Sequence, residues 1–118
     1  MSEAASRPRA ARDLTAFQQT VLYVLSESPR YGLAIKRELE DYYGEEVNHG
    51  RLYPNLDDLV GQGLVEKSEL DKRTNEYALT EGGLAAVEDL LTWSLARYVT
   101  DDDRAAVVET AVERAAGG

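Results

Sequence analysis

One segment of this chain breaks a rhythm that the rest of it keeps. "LVEKSEL" (64–70) and "EYALT" (76–80) are two short runs on either side of the polar turn "DKRTN". That is the pattern of a single β-hairpin. Elsewhere apolar residues recur every three to four positions, the period of helices packed on one face. One hairpin among helices leaves little choice of architecture. The expected fold class is mainly α with a small β-hairpin.

Before the hairpin, the spacing predicts three helices. "DLTAFQQTVLYVLSES" places Leu14, Phe17, Val21, Leu22 and Leu25 on one stripe, with Asp13 as the cap and Ser28-Pro29 as the stop. "RYGLAIKRELEDYYG" turns Leu33, Ile35, Leu39 and either Tyr42 or Tyr43 inward and stops at Gly44. After the loop Glu45-Glu46-Val47, Asn48 is a natural cap for a third helix over about 48–62. Its stripe is Leu52, Leu56, Leu59 and Val60, its end is marked by Gly61 and Gly63, and Pro54 predicts some kinking.

Beyond the hairpin, Thr80 caps a longer helix whose apolar face runs through Leu84, Val87, Leu90, Leu91, Leu95 and Tyr98. Asp101-Asp102-Asp103 breaks it before a last short helix with a weak stripe at Ala106, Val107, Thr110 and Ala111.

Composition removes several classes of function. The chain has 118 residues, 43% of them hydrophobic, so one domain with a core is expected. The absence of cysteine removes disulfides, thiolate metal sites and thiol redox switches. His49 is the sole histidine, so no metal site is expected, and no cofactor either. No nucleophile–base spacing or phosphate-cradling glycine loop appears, so the chain does not read as an enzyme. No apolar run approaches the roughly 20 residues that cross a bilayer, and "MSEAASRPRAAR" lacks the apolar middle of a signal peptide. A cytoplasmic protein with a flexible basic arm over 1–12 is expected. The net charge is −9, and only 3 of the 13 basic residues are lysines. Such an acidic, lysine-poor composition resembles proteins of microbes that keep molar salt in the cytoplasm. There the Debye length is about 3 Å and self-repulsion is weak.

Three helices followed by a two-stranded hairpin is the order of a winged helix-turn-helix, whose third helix presents its outer face to a DNA major groove. Specific stretches strengthen that reading. "LTAFQQTVLYVLSESPRYGLAIKRELED" resembles the first two helices of the PadR-type regulators, Tyr31-Gly32 included. "GRLYPNLDDLVGQGLVEK" is similar to the family's hallmark through Gly50, Leu52, Tyr53, Pro54, Leu56, Leu59, Gly63 and Leu64. "NEYALTEGG" matches its strand-to-helix passage at Tyr77, Leu79, Thr80, Gly82 and Gly83. With the acidic composition, the chain resembles a haloarchaeal member. The resemblance implies a homodimeric transcription factor, usually a repressor, with C-terminal dimerisation helices. Asp57 and Asp58 stand where many relatives carry basic residues.

This divides the chain into the arm (1–12), a winged helix-turn-helix DNA-binding domain (13–79) and dimerisation helices (80–118). Arg51 is the leading base-reading candidate, since arginine forks onto guanine O6 and N7; otherwise it is a solvated residue paired with Glu46 or Asn55. Asn48 serves first as a cap, and Asn55 is a candidate for a phosphate or an adenine edge. His49 is placed to meet phosphate at the helix N-terminus. Tyr53 either completes the core or also offers its hydroxyl to phosphate. Tyr31 and Lys36 are candidate phosphate contacts, as are Lys72, Arg73 and Thr74 in the wing (71–75). Arg7, Arg9 and Arg12 suit a minor groove.

The helix from Thr80 is too apolar for one covered face, so Leu84, Val87, Leu91, Leu95, Tyr98 and Val107 are expected to pair with a second subunit on a pseudo-palindromic operator. The rival reading is a winged-helix protein-interaction module without DNA binding. Asp57, Asp58 and Glu45-Glu46 are also candidates to hold hydrated cations against phosphates.

Overall fold

The computed structural model describes residues 13–71 and 74–117. Eight elements follow in order: α1 (Ala16–Glu27), β1 (Arg30–Tyr31), α2 (Gly32–Tyr43), α3 (His49–Gly61), β2 (Val65–Asp71), β3 (Thr74–Leu79), α4 (Glu81–Tyr98) and α5 (Asp102–Gly117). This is mainly α with one small antiparallel sheet.

The start of α1 differs from the expected Asp13. Thr15 is the cap: its hydroxyl accepts from the Gln18 amide at 3.1 Å, and the Gln18 side chain reaches back to the Thr15 amide. "TAFQ" is a reciprocal capping box, which outweighs a lone aspartate two residues earlier.

The second helix also starts later than expected. Arg30 and Tyr31 are not helical but form β1, antiparallel to β3 with Arg30 opposite Tyr77 and Tyr31 opposite Glu76. The sheet order is β1-β3-β2, so the hairpin gains a third strand. With α2 beginning at Gly32, Leu33 falls in its first turn and is exposed rather than inward. Of the two tyrosines, Tyr43 packs on the core, whereas Tyr42 is 70% exposed. Gly44 closes α2 with φ 73°, a left-handed stop natural to glycine.

Asn48 caps α3 as expected, its side-chain oxygen accepting from the Arg51 amide at 2.8 Å. The end of α3 is a Schellman turn. The Gly63 amide bonds the Val60 carbonyl and the Leu64 amide bonds the Leu59 carbonyl, with Gly63 at φ 79°. That turn delivers Leu64 and Val65 into the core as β2 begins.

Thr80 ties α4 to the same spot. Its hydroxyl accepts from the Gly83 amide at 3.0 Å and donates to the Gly63 carbonyl at 2.6 Å, while its amide donates to the Leu64 carbonyl at 3.1 Å. The helix passes so close that a Cβ on Gly83 would lie 2.0 Å from the Leu64 oxygen.

The core gathers Phe17, Val21, Leu22 and Leu25 of α1, Ile35 and Leu39 of α2, Leu52, Leu56 and Leu59 of α3, Tyr77 of β3, and Ala86 and Val87 of α4. Val87, expected at a subunit interface, is 6% exposed inside this core. The last helix is longer than expected. Asp101 caps it through the Arg104 amide at 2.8 Å, and none of its residues is buried.

Candidate nucleic-acid interface

Three leucines one and two turns apart seat α3 on the core, and this fixes what the helix shows outside. At 100° per residue, burial of Leu52, Leu56 and Leu59 turns Gly50, Pro54, Asp57 and Gly61 outward, and all four are exposed. Arg51, Asn55 and Asp58 form one flank of this ridge, facing α1. Tyr53 lies on the other flank, facing β1 and β3.

On the α1 flank, the Arg51 guanidinium carbon lies 4.0 Å from the centroid of the Phe17 ring and 5.9 Å from that of Tyr43. A cation over a ring face is attracted by the ring's quadrupole. Arg51 itself is exposed. Neither pairing weighed from sequence forms with its guanidinium: Asn55 instead donates Nδ2 to the Arg51 carbonyl at 2.7 Å.

The same flank contains a residue that sequence reasoning missed. Gln18 is buried on the apolar face of α1. Its Nε2 donates to Asn55 Oδ1 at 2.9 Å and to Asp58 Oδ2 at 3.0 Å. Gln62 Nε2 donates to the same Asp58 oxygen at 2.9 Å. The capping-box pattern "TAFQ" was the available signal for Gln18, but nothing local points to its partners on α3. Asn55 is therefore half-buried and tied on both ends of its amide.

On the other flank a cleft of about 400 Å³ opens between α3 and the sheet, lined by Tyr31, Gly32, Leu33, Tyr53, Thr74, Asn75 and Tyr77. Tyr53 is half-buried, with its hydroxyl edge over Gly32, where a Cβ would come within 2.5 Å of Oη. The glycine of the Tyr31-Gly32 pair thus makes room for the tyrosine of α3. His49 stacks on the Tyr53 ring at 5.5 Å. Tyr31 caps α2 without a side-chain hydrogen bond, so the first-turn amides of α2 beside the cleft have no capping acceptor, an arrangement that favours anions. Burial pushes the Tyr77 phenol up, helped by the charge of Asp57 and then by Tyr53.

Lys36 is not at liberty on this surface. Its ammonium lies 2.6 Å from Glu40 and its side chain is only 14% exposed. The same Glu40 oxygen accepts from the Val47 amide at 2.9 Å. These contacts hold the Glu40 carboxyl below the usual carboxylate range, the Lys36 hydrogen bond contributing most and the Val47 amide next. Lys36 thereby braces α2 against the loop that leads to α3. Asp57 pairs loosely with Lys67 at 3.9 Å, both of them well exposed. Among the described residues, no group of three or more His, Asp or Glu side chains is placed to hold a metal ion. Thr74 opens β3 at the cleft. Lys72, Arg73, Arg7, Arg9 and Arg12 lie outside the described residues.

At the C-terminal end, Leu84, Leu91, Trp93, Tyr98, Val107 and Val112 are exposed, and Leu95 is half-buried.

The model of the transcriptional regulator PadR-like family matches residues 21–89. Among solved structures, a complex of hsRosR-S1 is 71% identical, with a TM-score of 0.89, covering 91% of this chain and 96% of its own. RosR of H. salinarum, grown from NaBr, is also 71% identical with a TM-score of 0.89, covering 91% of this chain and 97% of its own. Bacillus subtilis PadR in complex with operator DNA shares the fold at 20% identity and a TM-score of 0.56, over 66% of this chain and 46% of its own. A search among curated proteins found no match.

Proposed function

Because the chain belongs to the PadR-like family of transcriptional regulators, we propose that it works as a homodimeric, sequence-specific DNA-binding regulator adapted to high salt, most simply a repressor. In this reading α3 enters the major groove and the wing (71–75) follows the neighbouring backbone or minor groove. The winged helix-turn-helix domain spans 13–79 and the dimerisation helices 80–118.

The observation that carries the reading is the outer face of α3. Its first turn holds the exposed Arg51 guanidinium over the Phe17 ring, and the helix is flanked on the other side by an open cleft against the wing strand. In this assignment Arg51 reads a guanine edge, worth about 1–3 kcal/mol of discrimination. His49, Asn48 and Tyr53 position the first turn. Tyr31, Thr74 and the uncapped start of α2 meet phosphates, together with Lys72 and Arg73. Arg7, Arg9 and Arg12 follow the minor groove. Asn55 and Lys36 contribute mainly by bracing α3 and α2, given their internal partners.

Dimerisation is supported by α5. A 16-residue helix with no buried residue would be marginal in water by itself, and it carries Val107 and Val112 in the open. The radius of gyration of 15.9 Å exceeds the roughly 13.5 Å of a compact chain of this length. A second copy covering Leu84, Leu91, Leu95, Tyr98 and Val107 accounts for both. The two α3 helices would then sit about one DNA turn, roughly 34 Å, apart. No helix among the described residues is long and apolar enough to cross a membrane.

Selection from a randomised duplex library in molar KCl tests the reading. Enrichment of a pseudo-palindrome, lost in Arg51→Ala with the fold intact by circular dichroism, is the expected result. No enrichment by the wild-type protein would favour an interaction module instead.

A further inference from the structure

Among the described residues, the acid beside the proposed reading ridge has two neutral partners and no cationic one. Asp58 Oδ2 receives Gln18 Nε2 at 3.0 Å and Gln62 Nε2 at 2.9 Å. Gln18 is buried, and both hydrogens of its amide are committed, the second to Asn55. Its own oxygen belongs to the capping box of α1. Gln18 is therefore fixed from behind, and Asp58 is drawn toward α1.

We infer that Gln18, aided by Gln62, is a positioning residue for DNA binding that holds the Asp58 carboxylate back against α1 and away from the phosphate strand. The inference rests on the proposed placement of α3 in the major groove. On this flank of the helix a carboxylate free to rotate outward would approach the backbone of a bound duplex. Two amides hold it without adding a positive charge, so the surface stays acidic while the charge itself is retracted. Gln18 needs no contact with DNA to do this; it acts through Asp58.

The role makes a demand that simple packing would not. Replacing Gln18 with a side chain of like volume and no donor, Gln18→Met, releases one side of Asp58. Repulsion at several ångströms in a watery interface corresponds to roughly threefold weaker duplex binding at modest salt. The loss should shrink in molar KCl, where the Debye length falls to about 3 Å. It should also vanish in Gln18→Met, Asp58→Asn, because the charge that Gln18 restrains is then gone. Gln62→Ala, at an exposed position with less risk to the fold, should show the same pattern more weakly.

The test measures binding of the full-length chain to a duplex enriched by the wild-type protein, across the range of KCl in which circular dichroism shows every variant folded. Weaker binding by Gln18→Met and Gln62→Ala, rescued by Asp58→Asn, is the expected outcome. Binding equal to wild type in both single variants overturns the inference. So does a loss that Asp58→Asn leaves in place. Should the wild-type protein enrich no duplex, the proposed function fails first, and that failure is distinguishable from either result.

Discussion

Gly83→Ala gives a direct measure of how tightly α4 is docked. The added Cβ would stand 2.0 Å from the Leu64 carbonyl oxygen and 3.0 Å from both the Leu64 carbonyl carbon and Leu79 Cδ2. The first two neighbours are backbone, so relief requires α4 to move by more than about 1 Å from the start of β2. Overpacking of that severity costs about 3 kcal/mol. The same movement strains the hydrogen bond from the Thr80 amide to that carbonyl, worth about 1 kcal/mol. Alanine returns about 1 kcal/mol of helix propensity. The net expectation is a loss of about 3 kcal/mol, or roughly 10 °C in Tm. Gly82→Ala is the matched control. Its Cβ meets the Gly63 oxygen at 3.5 Å and the Thr80 hydroxyl at 3.6 Å, ordinary contacts, so it should gain about 0.5–1 kcal/mol. Denaturant unfolding of both variants at one fixed KCl concentration decides it. Equal stability of Gly83→Ala and wild type would refute the close docking of α4.

Acid titration of stability should reveal Glu40. Its folded carboxyl is held below the usual value of 4.5, so its contribution is complete above that pH and disappears as the pH falls through the lower folded value. In Glu40→Gln the chain should be less stable at neutral pH, and its unfolding midpoint should fall less steeply below about pH 4.5. Leu91→Asp with Val107→Asp should convert a dimer into a monomer by light scattering at constant salt, while the far-UV signal of the winged domain is retained. Arg51→Ala should lose about 1–3 kcal/mol of base discrimination and also the stacking on Phe17, worth about 0.5–1 kcal/mol at an exposed site. Competition binding and thermal unfolding separate the two effects.

Local chemistry made much of this fold readable. Asn48 and Thr80 each offer a short oxygen to an amide three residues on, and a cap needs nothing further. The leucines of α3 declare their face by spacing alone. What escaped depends on residues far apart in the chain. β1 is two residues long, too short to show any period, and it exists because β3 has a second edge to pair with. Leu33 lies about 200° round the helix from Ile35, so the two could not both face the core, and it is Ile35 that does. Gln18 sits in an apolar stripe and reads as an interruption until residues 37 and 40 positions later meet it. Lys36 looks like a free cation until its own helix supplies Glu40 one turn on, a pairing that i, i+4 spacing does contain. Tyr53 over Gly32 explains why a tyrosine and a distant glycine occur together, as two halves of one contact.

The middle position of β3 has a mechanical meaning. Glu76 and Tyr77 are gripped from both sides, by Tyr31 and Arg30 on one edge and by Ser68 and Lys67 on the other. The outer residues of β3, Asn75 and Thr74, are held on one side only, across a register slip between Glu69 and Asp71. Among the described residues of the hairpin, bracing from both edges therefore ends at Glu76. Tyr31 leads directly into the first turn of α2, so the doubly held part of β3 is joined to the start of that helix.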